Sequence, residues 1–261
     1  MRSALYVVAA ISCLTRAAFS QPAFEVASIK PYDTKNGVWD AGVRVYPGGR
    51  VVIRSQPLNA LITTAFNVGR WQLSGGEDWM EKDVYDVEAK APGQSGTYSL
   101  RHTRFGLEDE RLRQMLQTLL IERFQLRLHR ETKTGSVYLL EKSGKTLRLT
   151  PTKYTIDQPV NGTAGFSGEV EYTGGHWYLF NTSVPQLAKF ASDYVLRKPV
   201  IDRTGLDGSF DYKDPDARIQ QEMDFDGTFP IFIQALGLKL TLAKGPVETF
   251  VIDHAEKPSP N

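Results

Sequence analysis

The sequence predicts an α+β fold built from two similar small units, each a mixed or antiparallel sheet with two helices packed on it. Three observations carry this. A stretch of the chain occurs twice: Gly48-Gly49-Arg50-Val51-Val52-Ile53-Arg54-Ser55-Gln56-Pro57-Leu58-Asn59-Ala60-Leu61 aligns without a gap with Gly174-Gly175-His176-Trp177-Tyr178-Leu179-Phe180-Asn181-Thr182-Ser183-Val184-Pro185-Gln186-Leu187. Both read as a glycine turn, an apolar strand, a polar cap and the start of an amphipathic helix. The likeness returns later, where Phe124–Leu128 matches Leu236–Leu240 and Tyr138–Glu141 matches Phe250–Asp253. Between these landmarks, segments of period two alternate with segments of helical period.

Residues 1–20 read as a secretory signal peptide: Arg2 is positive, Ala4–Leu14 is mostly apolar, and Ala18-Phe19-Ser20 offers small residues for cleavage before Gln21. The apolar run is too short to span a bilayer. An N-terminal anchor helix is the alternative. A lipoprotein signal at Cys13 is a poorer fit, because Ala10-Ile11-Ser12 does not suit lipidation. Phe24–Lys30 alternates apolar and polar and stops at Pro31, an edge-strand pattern. Tyr32–Ala41 reads as a loop. Val43–Tyr46 and Val51–Ile53 flank Pro47-Gly48-Gly49 as a hairpin. Ser55 is placed to cap a helix with Pro57 in its first turn, and Leu58, Leu61, Ile62, Ala65 and Phe66 lie on one helical face. Val84–Ala89 is a strand, Ala91–Gly106 a loop, and Leu112, Met115, Leu116, Leu119 and Leu120 mark a second helix. Phe124–His129 and Ser136–Glu141 read as two strands, completing the first unit over 21–150.

Residues 151–175 form a glycine- and threonine-rich connection with a short strand at Glu169–Tyr172. The second unit, 176–256, repeats the order: strand Trp177–Phe180, helix through Val184, Leu187, Ala188, Ala191 and Val195, strand Ser209–Lys213, a charged insertion Asp214–Asp226, a short helix through Phe229, Phe232, Ile233 and Leu236, then strands Lys239–Leu242 and Thr249–Asp253. The tail 257–261 reads as disordered. Whether the units stand as two lobes or share a sheet stays open.

Four blocks resemble an exported, "soil-associated" bacterial protein family of unknown function: Phe24–Pro31, Glu122–Thr132, Pro199–Tyr212 and Gly237–Pro258. The resemblance implies an exported bacterial protein and supplies no catalytic or binding residues. The strand–helix–strand–helix–strand order is also similar, at the level of shape alone, to the short N-terminal domain of secretins and TonB-dependent receptors, small envelope modules that dock other proteins.

Composition narrows the function. The chain holds 31 Lys plus Arg against 30 Asp plus Glu; loss of Arg2 and Arg16 with the signal leaves 29 against 30, or about −1. A near-neutral chain has no general attraction for nucleic acid or anionic lipid. Cys13 is the only cysteine, so a chain cleaved after Ser20 has neither a disulfide framework nor a thiol nucleophile. The four histidines, His102, His129, His176 and His254, show no metal-ligand spacing, and no nucleophile elbow, phosphate-binding glycine loop or cofactor motif is present. No metal and no cofactor are expected.

Two binding features remain. Arg123, Arg127, His129 and Arg130 alternate with Phe124, Leu126 and Leu128; on a strand this gives one apolar and one basic face, either a solvated sheet face or a surface for an envelope protein partner. Arg203 sits in Asp202-Arg203-Thr204-Gly205-Leu206-Asp207-Gly208, which reads either as an anion-clamping loop or as a turn. The leading expectation is a non-catalytic protein-docking module in the periplasm or secreted. The alternative is a small-molecule or glycan binder using a cleft between the units, with Trp71, Trp79, Trp177, Tyr178 and Arg203 as candidate liners.

Overall fold

The computed structural model describes residues 21–32, 42–93, 101–103, 107, 109–153, 168–173, 175–213 and 225–258. Residues 1–20, read as a signal peptide, most of the charged insertion and the last three residues lie outside the described residues.

The chain is α+β. Strands β1 (Val26–Pro31), β2 (Gly42–Tyr46) and β3 (Arg50–Pro57) lead into helix α1 (Leu58–Phe66). A single 3-10 turn (Arg70–Gln72), β4 (Leu73–Gly75), α2 (Trp79–Lys82), β5 (Val84–Lys90), β6 (Arg101–Thr103) and α3 (Glu110–Phe124) follow, and then β7 (Arg127–Lys142). The second part runs β8 (Thr150–Pro151), β9 (Glu169–Thr173), β10 (His176–Ser183), α4 (Val184–Phe190), a π-helical segment (Ala191–Leu196), β11 (Val200–Asp202), β12 (Ser209–Lys213), α5 (Phe225–Ala235) and β13 (Leu238–His254).

These make three sheets, with strand orders β1-β5-β3-β2-β6, β8-β12-β10-β9 and β11-β7-β13-β4. The third joins the two parts of the chain. Where the sequence suggests two short strands in each half, each pair is one continuous strand: β7 has 16 residues and β13 has 17. They pair antiparallel from Leu238↔Lys142 to His254↔Arg127. Their middles, Thr132–Ser136 and Lys244–Glu248, are polar or glycine-containing, which hides the continuity. Strand pairing itself satisfies the backbone there, with no apolar face required. At the centre two glycines face each other, Gly135↔Gly245.

The ribbon also crosses between cores. Phe250, Ile252 and Ala255, from the end of the chain, are buried with Leu61, Val87, Leu116 and Phe124. Leu140, from β7, is buried with Trp177, Leu187, Phe232 and Leu238. Each long strand therefore contributes side chains to both cores.

Several local constructions occur at two places. β3 and β5 slip register between Ile53 and Gln56, where Ser55 takes φ 49° and donates its backbone N–H to Asp86 Oδ1 at 2.9 Å. β10 and β12 slip between Leu179 and Thr182, where Asn181 takes φ 46° and donates to Asp211 Oδ1 at 2.8 Å. A bulge turns one N–H away from the ladder, and a carboxylate accepts it. Ser55 is therefore a bulge residue and does not cap α1, whose preceding residue is Pro57 with no side-chain cap. The short parallel strands match too: Leu73 pairs with Phe250, and Val200 with Tyr138. Both bulge residues lie inside the two aligned sequence segments.

The chain is anchored to the first part of the fold as far as Lys257, the first residue of the tail expected to be disordered; 259–261 lie outside the described residues. Glu256 N–H donates to Phe124 O at 2.7 Å, and Lys257 pairs with Asp83 at 2.6 Å over the Trp79 ring.

Candidate functional site

The halves meet again beside the central sheet, at a cleft of about 310 Å³. One wall comes from the α1–β4 connection. α1 ends at Asn67 in the left-handed conformation (φ 55°), after which Gly69 starts the 3-10 turn carrying Trp71. Gln72 holds this turn at both ends: its Oε1 accepts from Gly69 N–H at 3.0 Å, and its amide donates to Glu248 O of β13 at 3.0 Å. The turn is thereby pinned to the ribbon.

The other wall is α4, the π-helical segment and β11. Ser183 caps α4 in a capping box with Gln186, and Pro185 occupies the first turn, where no N–H is needed. From Ala191 the helix widens to π geometry and ends at Arg197 (φ 49°). Single π turns are common at functional positions. Here the wide turn carries Ser192 and Asp193, both of which line the cleft with Lys189, Pro199, Val200 and Asp202.

Polar contacts cross the junction. Lys189 Nζ donates to Asn67 O at 3.3 Å and pairs with Asp193 Oδ2 at 2.7 Å. Asp193 Oδ1 and Trp71 Nε1 both crowd Gly69: a Cβ on Gly69 would stand 2.5 Å from the first and 2.6 Å from the second. Trp71 Nε1 is shielded from solvent and has no hydrogen-bond partner among the described residues. A buried donor left unpaired costs about 1–3 kcal/mol. Asp202 accepts Thr204 N–H at 2.8 Å, and Thr204 Oγ1 accepts Leu206 N–H at 3.2 Å. These bonds make the Asp202–Leu206 segment a turn with its own internal hydrogen bonds.

Among the candidate cleft aromatics, Trp71 lines the cleft. Trp177 is fully buried, stacked on Phe232 at 4.9 Å with its Nε1 donating to Thr228 Oγ1, so it belongs to the second core. Trp79 packs against the first core, and Tyr178 lines a separate hollow with Phe180 and Asp211 on the outer face of β10 and β12. Arg203 is exposed; its neighbour Asp202 reaches the cleft instead.

The basic run is divided differently from the single strand face expected. Arg123 lies in the last turn of α3, the chain reverses at Gln125 (φ 50°), and β7 begins at Arg127. Within β7, Arg127 and Arg130 point to opposite faces by the strand's period of two. Arg130 lies over the Phe250 ring at 5.1 Å and pairs with Glu248 at 3.4 Å. The face of Arg127 carries His129, whose Nδ1 is 2.8 Å from Asp253 Oδ1. That hydrogen bond raises the His129 pKa above its ordinary value, with Glu131 adding to the effect. Lys133 in turn lowers the pKa of Glu131. Charges on β7 are thus largely met by neighbours on the ribbon.

Among the described residues, no group of three His, Cys, Asp or Glu side chains is placed to hold a metal ion, and no helix is long and apolar enough to cross a membrane.

The fold and cleft define an α+β protein whose two helix-backed cores are joined by a shared four-stranded sheet. The chain belongs to the DUF3738 family, described as a protein of unknown function, whose model matches residues 59–255. No curated protein and no solved structure matches it.

Proposed function

We propose that this chain is an exported binding protein of the bacterial envelope, and that it takes a small polar ligand in the cleft between its halves. The observation that carries the reading is Trp71, a cleft-lining tryptophan whose shielded indole N–H has no acceptor among the described residues. A cleft at a junction of two cores, with an aromatic side and a few polar groups, is the common form of a ligand site. Export is supported by the composition of residues 1–20. The reading requires no reaction, and the four histidines and the single cysteine offer no nucleophile–base pair in the sequence.

The test is a thermal-shift and calorimetric screen of the purified protein against sugars, amino acids and amines, repeated with Trp71→Phe. Binding that the variant loses supports the cleft. Binding of equal strength in both proteins, or none across the panel, removes it.

The second reading is docking of an envelope protein. It is favoured by the last turns of α3, where Ile121 is 44 % exposed, and by the exposed Arg127 at the start of β7. Crosslinking in the native cell would recover one partner, lost when Arg123, Arg127 and Arg130 are reversed in charge. An unchanged set of contacts would end this version.

A further inference from the structure

The charge on the cleft walls, taken together with the ligand-site reading on which this inference rests, indicates what the ligand carries. Three ionic side chains line the cleft: Lys189, Asp193 and Asp202. Lys189 and Asp193 neutralise each other at 2.7 Å, with side chains only 25 % and 13 % exposed. Asp202 is half-buried; its carboxylate accepts the Thr204 N–H and, among the described residues, forms no ion pair. Among the described residues the cleft therefore holds one uncompensated negative charge, and Trp71 and Ser192 line the same cleft.

A half-buried carboxylate without a counter-ion disfavours anions and gives a neutral ligand no advantage over water. It favours a group that brings a positive charge and several donors. We propose that the cleft binds a small ammonium compound that also carries a hydroxyl group, with Asp202 as the counter-ion of the ammonium, Ser192 Oγ as a further acceptor and the ligand hydroxyl oxygen accepting the Trp71 N–H. The volume of about 310 Å³ lies at the lower end of ligand pockets, which limits the ligand to the size of an amino sugar or a short amino alcohol.

Asp202→Asn is the informative variant. The amide oxygen still accepts the Thr204 N–H, so the turn survives while the charge goes. Calorimetry would compare wild type, Asp202→Asn and Trp71→Phe against glucosamine and ethanolamine, which share the ammonium and hydroxyl groups, and against glucose and N-acetylglucosamine, which lack the ammonium. The expected result is binding of one or both amines, at least tenfold weaker in Asp202→Asn, with the neutral sugars silent. The amine that binds identifies the source, amino sugar or amino alcohol. Neutral sugars binding as well as the amines, with loss in Trp71→Phe, would overturn the ammonium assignment and leave the cleft reading standing. Amine binding unchanged in both variants, or no binding in any arm, would overturn both.

Discussion

Replacing Gly69 by alanine tests whether the two halves are packed against each other at the cleft. Gly69 has φ −73° and ψ 153°, an extended conformation that alanine adopts freely. Backbone strain is therefore absent and the effect is steric. The new methyl carbon would stand 2.5 Å from Asp193 Oδ1 and 2.6 Å from Trp71 Nε1, with Trp71 Cδ1 at 2.9 Å. Ordinary contact needs close to 1 Å more on each side, on the order of the 3.5–4.0 Å optimum for non-bonded atoms. Asp193 is tied to Lys189, and the Trp71 turn is held through Gln72 to β13, so neither wall retreats without loss. Overpacking of this kind costs about 1–3 kcal/mol. At roughly 2–4 °C per kcal/mol for a chain of this size, the midpoint of thermal unfolding falls by about 2–12 °C. Asp193→Ala in the same chain clears one wall, so the double variant loses less than the two single effects added together. The opposite sign refutes the argument. If the halves stood apart at Gly69, alanine would stabilise the protein by about 0.4–1 kcal/mol through its smaller unfolded-state entropy, and the melting midpoint would rise.

Three further outcomes follow from the structure. Asp211→Ala leaves the N–H of Asn181, a residue only 2 % exposed, without its acceptor; chemical denaturation will show a loss of about 1–3 kcal/mol, and an Asp211→Ala protein as stable as wild type contradicts that role. Phe250→Ala empties a site in the first core from the far end of the chain and costs about 3–5 kcal/mol; hydrogen exchange will rise in α1 and α3 rather than in α5, and exchange confined to the second half contradicts the crossing of the ribbon. His129 titrates above its ordinary value in the folded protein because Asp253 accepts its hydrogen bond. A raised folded-state pKa means that its stabilising contribution is complete below the unfolded-state pKa, and is lost as pH rises through the folded one. NMR titration will show the His129 pKa falling toward the ordinary value in Asp253→Asn, and a shift in the other direction excludes the assignment.

The elements visible in the sequence are those whose burial is periodic along the chain. α1 and α3 have their apolar residues at helical spacing, and β5 alternates strictly, with Tyr85, Val87 and Ala89 buried. β4 and β11 have three residues each, too few to show a period, and they exist because β13 and β7 offer free edges to them. The capping role read for Ser55 failed because a bulge, which answers to its partner strand, took that residue into the left-handed region. The candidate site was legible only as single residues. Trp71 is one of four tryptophans, and Asp202 stands in a segment that reads equally well as a turn. Neither could be separated from the core residue Trp177 or the exposed Arg203 until their surroundings were known.

By itself, then, the sequence determined the α+β class, the order of most helices and strands, and the recurrence of a glycine turn, strand and helix start at 48–61 and 174–187. Such features depend on residues within a few positions of one another, so local pattern suffices. Tertiary structure alone decided that β7 and β13 run unbroken and share a sheet, that the end of the chain completes the first core, and that Asn67, Trp71, Lys189, Asp193 and Asp202 surround one cleft. These depend on which distant strands pair and on how the helices sit above them. That choice is made by the burial and hydrogen bonding of the whole chain at once, and no local pattern encodes it.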